Sequence, residues 1–272
     1  MGRGDGGACS GAVAKQIRPP RDRWVVIADA DLYRRGTETL LASWEEYARG
    51  ASGASLERLP GAAVAVFPNE PERSFYNNAL LEPDGGAAAI DELEAVYAAA
   101  GIERFAVWVH ESDEPSAREL QRRGYELDTT TRAMGMALGD VQVGRPGIDL
   151  ASPDWAEALR VMELPPDFLS AADPAAFEVL IARCRGDSAA AAIAFDHHGD
   201  RGIYNVGTLE HARRRGLGTA VTALLVHDAL ESGCETASLQ STPMAERVYA
   251  RVGFRDLGRI LEYVPTPSVP PQ

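Results

Sequence analysis

The segment VGTLEHARRRGLGTA, from Val206 to Ala220, contains the residue types and the spacing best suited to chemistry. A strand-like run leads into the pattern R-x-x-G-x-G, at Arg213, Gly216 and Gly218, and a helical stretch follows. Glycines let the backbone turn tightly, and a helix N-terminus presents free N–H groups and about half a positive charge. Two further arginines directly follow Arg213 and add cationic reach. The segment therefore predicts an anion-binding loop suited to a pyrophosphate.

Two other interpretations of this segment compete with a specific pyrophosphate site. The arginines could form a solvated loop with glycines as turn residues, which is common for an isolated pattern. Alternatively, GLGTAV could be a degraded G-x-G-x-x-G dinucleotide motif with Glu235 as the ribose-binding acid. The spacing disfavours this second alternative, because Glu210 to Arg215 separate the strand from Gly216 and Val221 occupies the third glycine position.

The same residues resemble the coenzyme A signature of the GNAT superfamily of N-acetyltransferases, R/Q-x-x-G-x-G/A after a strand of the type V-x-T. The strand part of the match is Val206 and Thr208, followed by the arginine and glycines named above. The later segment AERVYARVGF resembles the family helix in which a tyrosine, here Tyr249, precedes a Gly-Phe pair by four residues. The two motifs occur in the family's order, and the resemblance covers about Pro153 to Val264.

The resemblance implies acetyl-CoA as cosubstrate, no metal, and a role for each part of the motif. The strand would offer backbone groups to the pantetheine amides, and the loop would hold the pyrophosphate. Tyr249 would give a proton or a hydrogen bond to the departing thiolate. The residues expected to bind the cosubstrate are Val206, Gly207, Thr208, Arg213, Arg214, Arg215, Gly216, Leu217, Gly218 and Thr219.

The general base is not evident from the sequence. The family often uses a glutamate on its central strand, but this strand offers Tyr204 and Asn205 instead. Glu262, on the last strand, is the candidate base, with a solvated surface acid as the alternative. The segment FDHHGDR, which starts at Phe195, is better explained as a polar hairpin turn than as an acid–base cluster.

An internal repeat determines the predicted architecture. Each half contains a strand, a loop, a helix, a strand, a helix and a strand in the same order. Tyr76-Asn77 corresponds to Tyr204-Asn205 at an offset of 128 residues, and Gly124-Tyr125 to Gly253-Phe254 at an offset of 129. The expected fold is α/β (α+β), with two tandem GNAT-like domains, each a mixed, mostly antiparallel sheet flanked by helices.

The first half departs from the family pattern. Its loop is four residues shorter than that of the second half and has no R-x-x-G-x-G, and Leu120 takes the position of Tyr249. We expect a degenerate copy and one coenzyme A site per chain. The predicted organisation is a flexible tail at 1–23, a degenerate domain at 24–140, an acyl-CoA-binding domain at 141–264 and a proline-rich tail at 265–272 that cannot continue a strand.

Composition narrows the class of partner. The 272 residues include 27 basic and 40 acidic side chains, a net charge of −13, which argues against nucleic acid. No apolar stretch approaches the length of a membrane span, and the start has no apolar signal region. We expect a cytoplasmic protein without membrane or nucleic-acid partners, and a homodimer remains open.

The function expected from the resemblance is transfer of an acetyl group from acetyl-CoA to a primary amine of a small molecule or a peptide. A non-catalytic acyl-CoA-binding or regulatory module is the alternative, because no base is evident and one half is degenerate.

Overall fold

The sequence repeat appears in the structure as two strand-and-helix units that share a sheet. The computed structural model describes residues 26–83 and 85–266. The helices are α1 Asp29–Arg49, α2 Gly86–Ala99, α3 Glu114–Arg122, α4 Trp155–Met162, α5 Leu217–Ser232 and α6 Glu246–Val252. The strands are β1 Ser55–Leu59, β2 Ala62–Val66, β3 Asn78–Leu81, β4 Ala106–His110, β5 Tyr125–Ala137, β6 Glu178–Cys184, β7 Asp187–His197, β8 Asp200–Thr208, β9 Thr236–Ser241 and β10 Arg255–Pro265.

These strands form a ten-stranded sheet in the order β1-β2-β3-β4-β10-β5-β9-β8-β7-β6. The pairs β3–β4 and β8–β9 are parallel, one in each half. The remaining neighbours are antiparallel. The predicted α/β fold, with a mixed and mostly antiparallel sheet flanked by helices, is confirmed.

The last strands of the two halves are exchanged. Strand β10, from the second half, lies between β4 and β5, while β5, from the first half, pairs with β9. Each half therefore completes its sheet with a strand that is far away in sequence. The domain boundary near residue 140 stays a prediction, because the sheet continues across both units.

Helix α1 packs across the face of the sheet opposite α5 and α6, and the repeat gave no indication of it. Its apolar side chains, including Leu40, Leu41 and Trp44, join a core cluster that contains residues of both halves. Gly36 allows a close approach to β9, since a Cβ there would lie 2.7 Å from the Cβ of Ser238. The helix thereby connects the two units on this face.

The offset between the two halves depends on which strand pairing is compared. The parallel pairs place Asp200 at the position of Asn78, an offset of 122 residues. The antiparallel pairs with β2 and β7 place Thr208 at the position of Leu81, an offset of 127, close to the 128 of the two Tyr-Asn pairs.

The predicted C-terminal tail begins too early. Strand β10 continues through Pro265, which pairs with Tyr125, and the amide of Thr266 donates to the carbonyl of Gly124 at 3.3 Å. Proline is tolerated there because it stands at the end of the strand. The predicted N-terminal tail at 1–23 and the prolines after Pro265 lie outside the described residues. None of the described helices is long and apolar enough to cross a membrane.

Candidate functional site

The two parallel strands of the second half diverge, and the gap between them forms the centre of the site. Strand β8 pairs with β9 only at Asp200, Arg201 and Gly202 within the described residues. Its later part pairs with β7, with a register shift opposite Asn205, whose φ of 53° marks a bulge. A bulge bends a strand away from its neighbour. The β8 edge that faces the gap, from Ile203 to Thr208, can therefore bond an extended ligand that carries amides.

The predicted anion-binding loop lies at the end of this gap. A short 3-10 turn at Glu210–Ala212 leads to Gly216, which caps α5 in the left-handed conformation at a φ of 81°. No side chain caps this helix start, so its first-turn amides are available to a ligand. A Cβ on Gly218 would meet only Thr208 Oγ1 at 3.7 Å and Val248 Cγ1 at 4.0 Å. The space above the loop is therefore open, and the residues present suit a pyrophosphate.

The three arginines of the loop have different surroundings. Arg213 donates from Nε to the carbonyl of Thr208 at 3.0 Å, and its Nη2 lies 3.4 Å from Oε2 of Glu163. Arg215 Nη1 lies 3.7 Å from Sγ of Cys184. Arg214 is exposed and makes no hydrogen bond or ion pair with the described residues. Arg214 is thus the guanidinium best placed to bind an outside anion.

Three other residues predicted to bind the cosubstrate have packing roles in the fold. Leu217 is a core residue with 3% exposure, and Thr219 is 8% exposed. A Cβ on Gly207 would lie 2.7 Å from Cα of Met162, so this glycine allows α4 to pack closely on β8. These three residues can therefore contact a ligand mainly through their backbone groups. The same applies to Val206, which precedes Gly207 in β8.

Tyr249 lies on α6, the helix that packs against α5. The ring is 6% exposed and packs edge-on against Phe254, with ring centroids 6.2 Å apart. Its hydroxyl makes no hydrogen bond with the described residues, and burial raises the pKa of Tyr249 to about 12. The phenol is therefore protonated at neutral pH and has a proton to donate.

Glu262 lies on the other face of the sheet. It pairs with Trp108 of β4, and Thr131 Oγ1 donates to its Oε1 at 3.5 Å. Burial raises the pKa of Glu262 to about 7. The carboxyl is half-buried, and near neutral pH it can exist in both the protonated and the ionised form.

A groove of about 410 Å³ opens on the same face as Glu262. Asn205 and Gln240, from the two sides of the gap, both line it, so the groove meets the gap directly. Its aromatic walls are Trp44, Tyr47, Phe75, Trp108, Phe168 and Tyr204. We call it the aromatic groove. Sequence reasoning missed it because its walls come from α1, both halves of the sheet and the loop near Phe168.

The first half has a shorter connection to its helix. Helix α2 begins at Gly86, which is buried, and Leu217 at the start of α5 is buried as well. Leu120, which replaces Tyr249, is fully buried in the core of the first half and carries no hydroxyl. That only the second half binds coenzyme A stays a prediction.

The polar hairpin between β7 and β8 is held by internal contacts. Arg201 is buried and pairs with Asp196 at 2.6 Å and with Glu178 at 2.7 Å. Asp200 accepts hydrogen bonds from Thr236 and Ser238. No group of three or more potential metal ligands occurs within residues 26–83 and 85–266.

Comparison with known proteins agrees with this geometry. Residues 149–254 match the acetyltransferase (GNAT) family. No curated protein matches the sequence significantly.

Solved structures share the fold over nearly the whole chain. A GCN5-related N-acetyltransferase from Kribbella flavida is 19% identical with a TM-score of 0.65, covering 88% of this chain and 96% of that one. A conserved protein of unknown function from Staphylococcus epidermidis is 12% identical with a TM-score of 0.55, covering 78% and 94%. A GCN5-related N-acetyltransferase from Sphaerobacter thermophilus is 15% identical with a TM-score of 0.50, covering 88% and 93%.

Proposed function

We propose that this protein is an N-acetyltransferase that transfers the acetyl group of acetyl-CoA to a primary amine. The proposal rests on one arrangement. The gap between β8 and β9 has the predicted anion-binding loop, Arg213 to Gly218, at its end and the aromatic groove on one face. A thioester held along β8 and an amine held in the groove would meet in this gap. Such placement converts a bimolecular reaction into an effectively unimolecular one.

The cosubstrate is held by backbone groups and one free arginine. The β8 edge bonds the pantetheine amides, the α5 amides from Leu217 to Thr219 hold the pyrophosphate, and Arg214 pairs with a phosphate. Arg213 acts indirectly, because it fixes the loop to β8 through the carbonyl of Thr208. Acetyl-CoA, when bound, supplies the acetyl group and a thiolate leaving group.

Two residues, on opposite faces of the sheet, act as the general acid and the general base. The amine nitrogen forms a bond to the acetyl carbon while the carbon–sulfur bond breaks. Tyr249, protonated at neutral pH because burial raises its pKa, donates to the thiolate. We assign Glu262, with a pKa of about 7, as the group that accepts the proton the amine loses. Glu262 neighbours Trp108 but does not itself line the groove, so the proton reaches it through water.

The experiment that tests the proposal measures thiol release from acetyl-CoA by the purified full chain, with a panel of primary amines. Amine-dependent thiol release with formation of the N-acetyl product supports an enzyme. Calorimetric binding of CoA without thiol release from any amine supports the non-catalytic module instead. Absence of CoA binding as well would refute both functions.

A further inference from the structure

The aromatic groove has a wall chemistry that restricts which amine can bind there. Six aromatic rings line it, together with the aliphatic Leu40, Leu164, Pro165 and Ile203. Apart from the polar atoms of its tyrosine and tryptophan rings, its polar lining groups are the neutral amides of Asn78, Asn205 and Gln240. Among the described residues, the lining includes no carboxylate and no cationic side chain. A volume of about 410 Å³ is that of a small-molecule site.

We propose that the acceptor is a monoamine with a flat aromatic body, such as an arylalkylamine, and that the aromatic groove holds this body. The inference rests on the proposed acetyl transfer and specifies its acceptor. The body packs between the rings, and the amine points toward Asn205 and Gln240 at the gap. Burial of a ring supplies the binding free energy, and the aromatic walls add favourable edge-to-face contacts.

The rings are already arranged as walls for a flat ligand. Trp44 and Trp108 meet edge to face, with centroids 5.4 Å apart and planes at 85°. On the outer side, Phe75 and Phe168 lie 5.7 Å apart, and Phe75 is 47% exposed at the rim. Contacts within each pair fix the ring orientations, so a ligand loses little affinity to ordering of the walls.

The same walls disfavour two other classes of amine. A polyamine would place additional ammonium groups where no carboxylate lines the groove, so those charges would lose their hydration without a partner. An aromatic amino acid would add a carboxylate. The guanidinium near the rim, Arg73 over the Phe75 ring, already pairs with Glu70 and Asp167. An unpaired carboxylate would therefore be costly to bury.

An apolar groove also favours the reactive form of the amine. Desolvation disfavours the charged ammonium, so the neutral nucleophile is easier to form at neutral pH. Aromatic faces still attract a cation during entry. The groove therefore suits a single amine that enters as a cation, releases one proton to solvent and then reacts as the neutral nucleophile, whose second proton goes to the general base.

The test compares five acceptors with the full chain at saturating acetyl-CoA: 2-phenylethylamine, tryptamine, ethylamine, spermidine and phenylalanine. We expect kcat/KM for 2-phenylethylamine or tryptamine to exceed that for ethylamine by at least about 100-fold, because only they bury a ring. Phenylalanine and spermidine should lie at least about tenfold below 2-phenylethylamine. Acetylation that favours spermidine, phenylalanine or ethylamine overturns the inference but leaves the transferase function intact. No thiol release with any acceptor contradicts the transferase function itself.

Two substitutions of Phe75, at the rim, test whether the groove causes the preference for aromatic amines. Phe75→Ala should raise the KM for 2-phenylethylamine about tenfold and the KM for ethylamine much less, since only the aromatic body contacts this ring. Phe75→Glu should move the preference toward spermidine by supplying a carboxylate. Leu127→Ala is the matched control, because Leu127 is 50% exposed and lies outside the groove. Equal effects of Phe75→Ala on both amines, or the same shift in the control, would refute the assignment.

Discussion

Arg213 donates a hydrogen bond from Nε to the backbone carbonyl of Thr208, and the two atoms are 3.0 Å apart. This contact links the start of the glycine-containing loop to the end of β8. The arginine that defines the signature therefore supports the loop, while its neighbour Arg214 remains exposed. The two arginines should respond differently to substitution.

Arg214→Ala should weaken CoA binding about fivefold at about 0.05 M salt and have little effect at about 0.5 M, because salt screens an exposed ion pair. Arg213→Ala should weaken binding to a similar extent at both salt concentrations, because it removes a support of the loop. Calorimetric titration of CoA at the two salt concentrations distinguishes them. A strong salt dependence in the Arg213 variant, with none in the Arg214 variant, would reverse the assignment.

Gly218→Glu should weaken CoA binding at least about tenfold without lowering the melting temperature. The added side chain enters the open space above the loop and brings a carboxylate close to the phosphates, while glutamate favours a helix over glycine. Gly218 has no positive φ, so backbone strain does not complicate the result as it would at Gly216. Gly147→Glu is the control, because a Cβ there meets nothing within 4 Å. Unchanged CoA affinity in the Gly218 variant would remove the loop from the binding site.

Tyr249→Phe should lower kcat by about 100-fold or more with CoA affinity nearly unchanged, if the hydroxyl is the general acid. The ring, which packs on Phe254, is retained, so stability should change little. A loss of only about tenfold would indicate a hydrogen bond that water can replace. Wild-type turnover in the variant would make Tyr249 a packing residue.

Glu262→Gln should remove the rising limb of kcat/KM near pH 7 and lower the maximal rate by about 100-fold. The base must be ionised, so wild-type activity should fall as the pH drops below about 7. A pH–rate profile of both proteins tests this expectation. An unchanged rising limb in the variant would show that another group causes the pH dependence.

The same carboxyl predicts how stability depends on pH. Its pKa is raised from 4.5 to about 7, so between these values the folded chain binds more protons than the unfolded chain. The free energy of unfolding therefore falls as the pH rises from about 4.5 to about 7, owing to this group. In the Glu262→Gln variant, this decrease in the free energy of unfolding should be absent. Denaturant titrations of the wild type and the variant at pH 4.5 and pH 8 test this. The same difference in stability between the two proteins at both pH values would contradict the expectation.

A fragment containing residues 141–272 should not fold alone, because the exchange leaves β9 without β5, and β10 without both of its neighbours. Circular dichroism of the fragment should show no cooperative unfolding, and co-expression with residues 1–140 should restore it. A fragment that unfolds cooperatively as a monomer would show that β10 can pair within its own half.

The sequence by itself determined most of the elements and the position of the candidate cosubstrate site. The strand, loop and helix from Val206 to Thr219 are contiguous, so local spacing defines the glycine positions, and Tyr249 is found by its distance from Gly253. The alternation of strands and helices likewise predicted an α/β fold with two similar halves. Each of these features depends on residues close to one another in the chain.

Only the tertiary structure decided where β10 and β5 pair, and it also revealed the aromatic groove and the burial of Glu262. Strand exchange leaves every local pattern unchanged, because β10 has the same sequence beside either neighbour. The groove brings Trp44, Trp108 and Phe168 together from distant segments. The raised pKa of Glu262 results from burial, which depends on what packs against β10 and not on the residue itself.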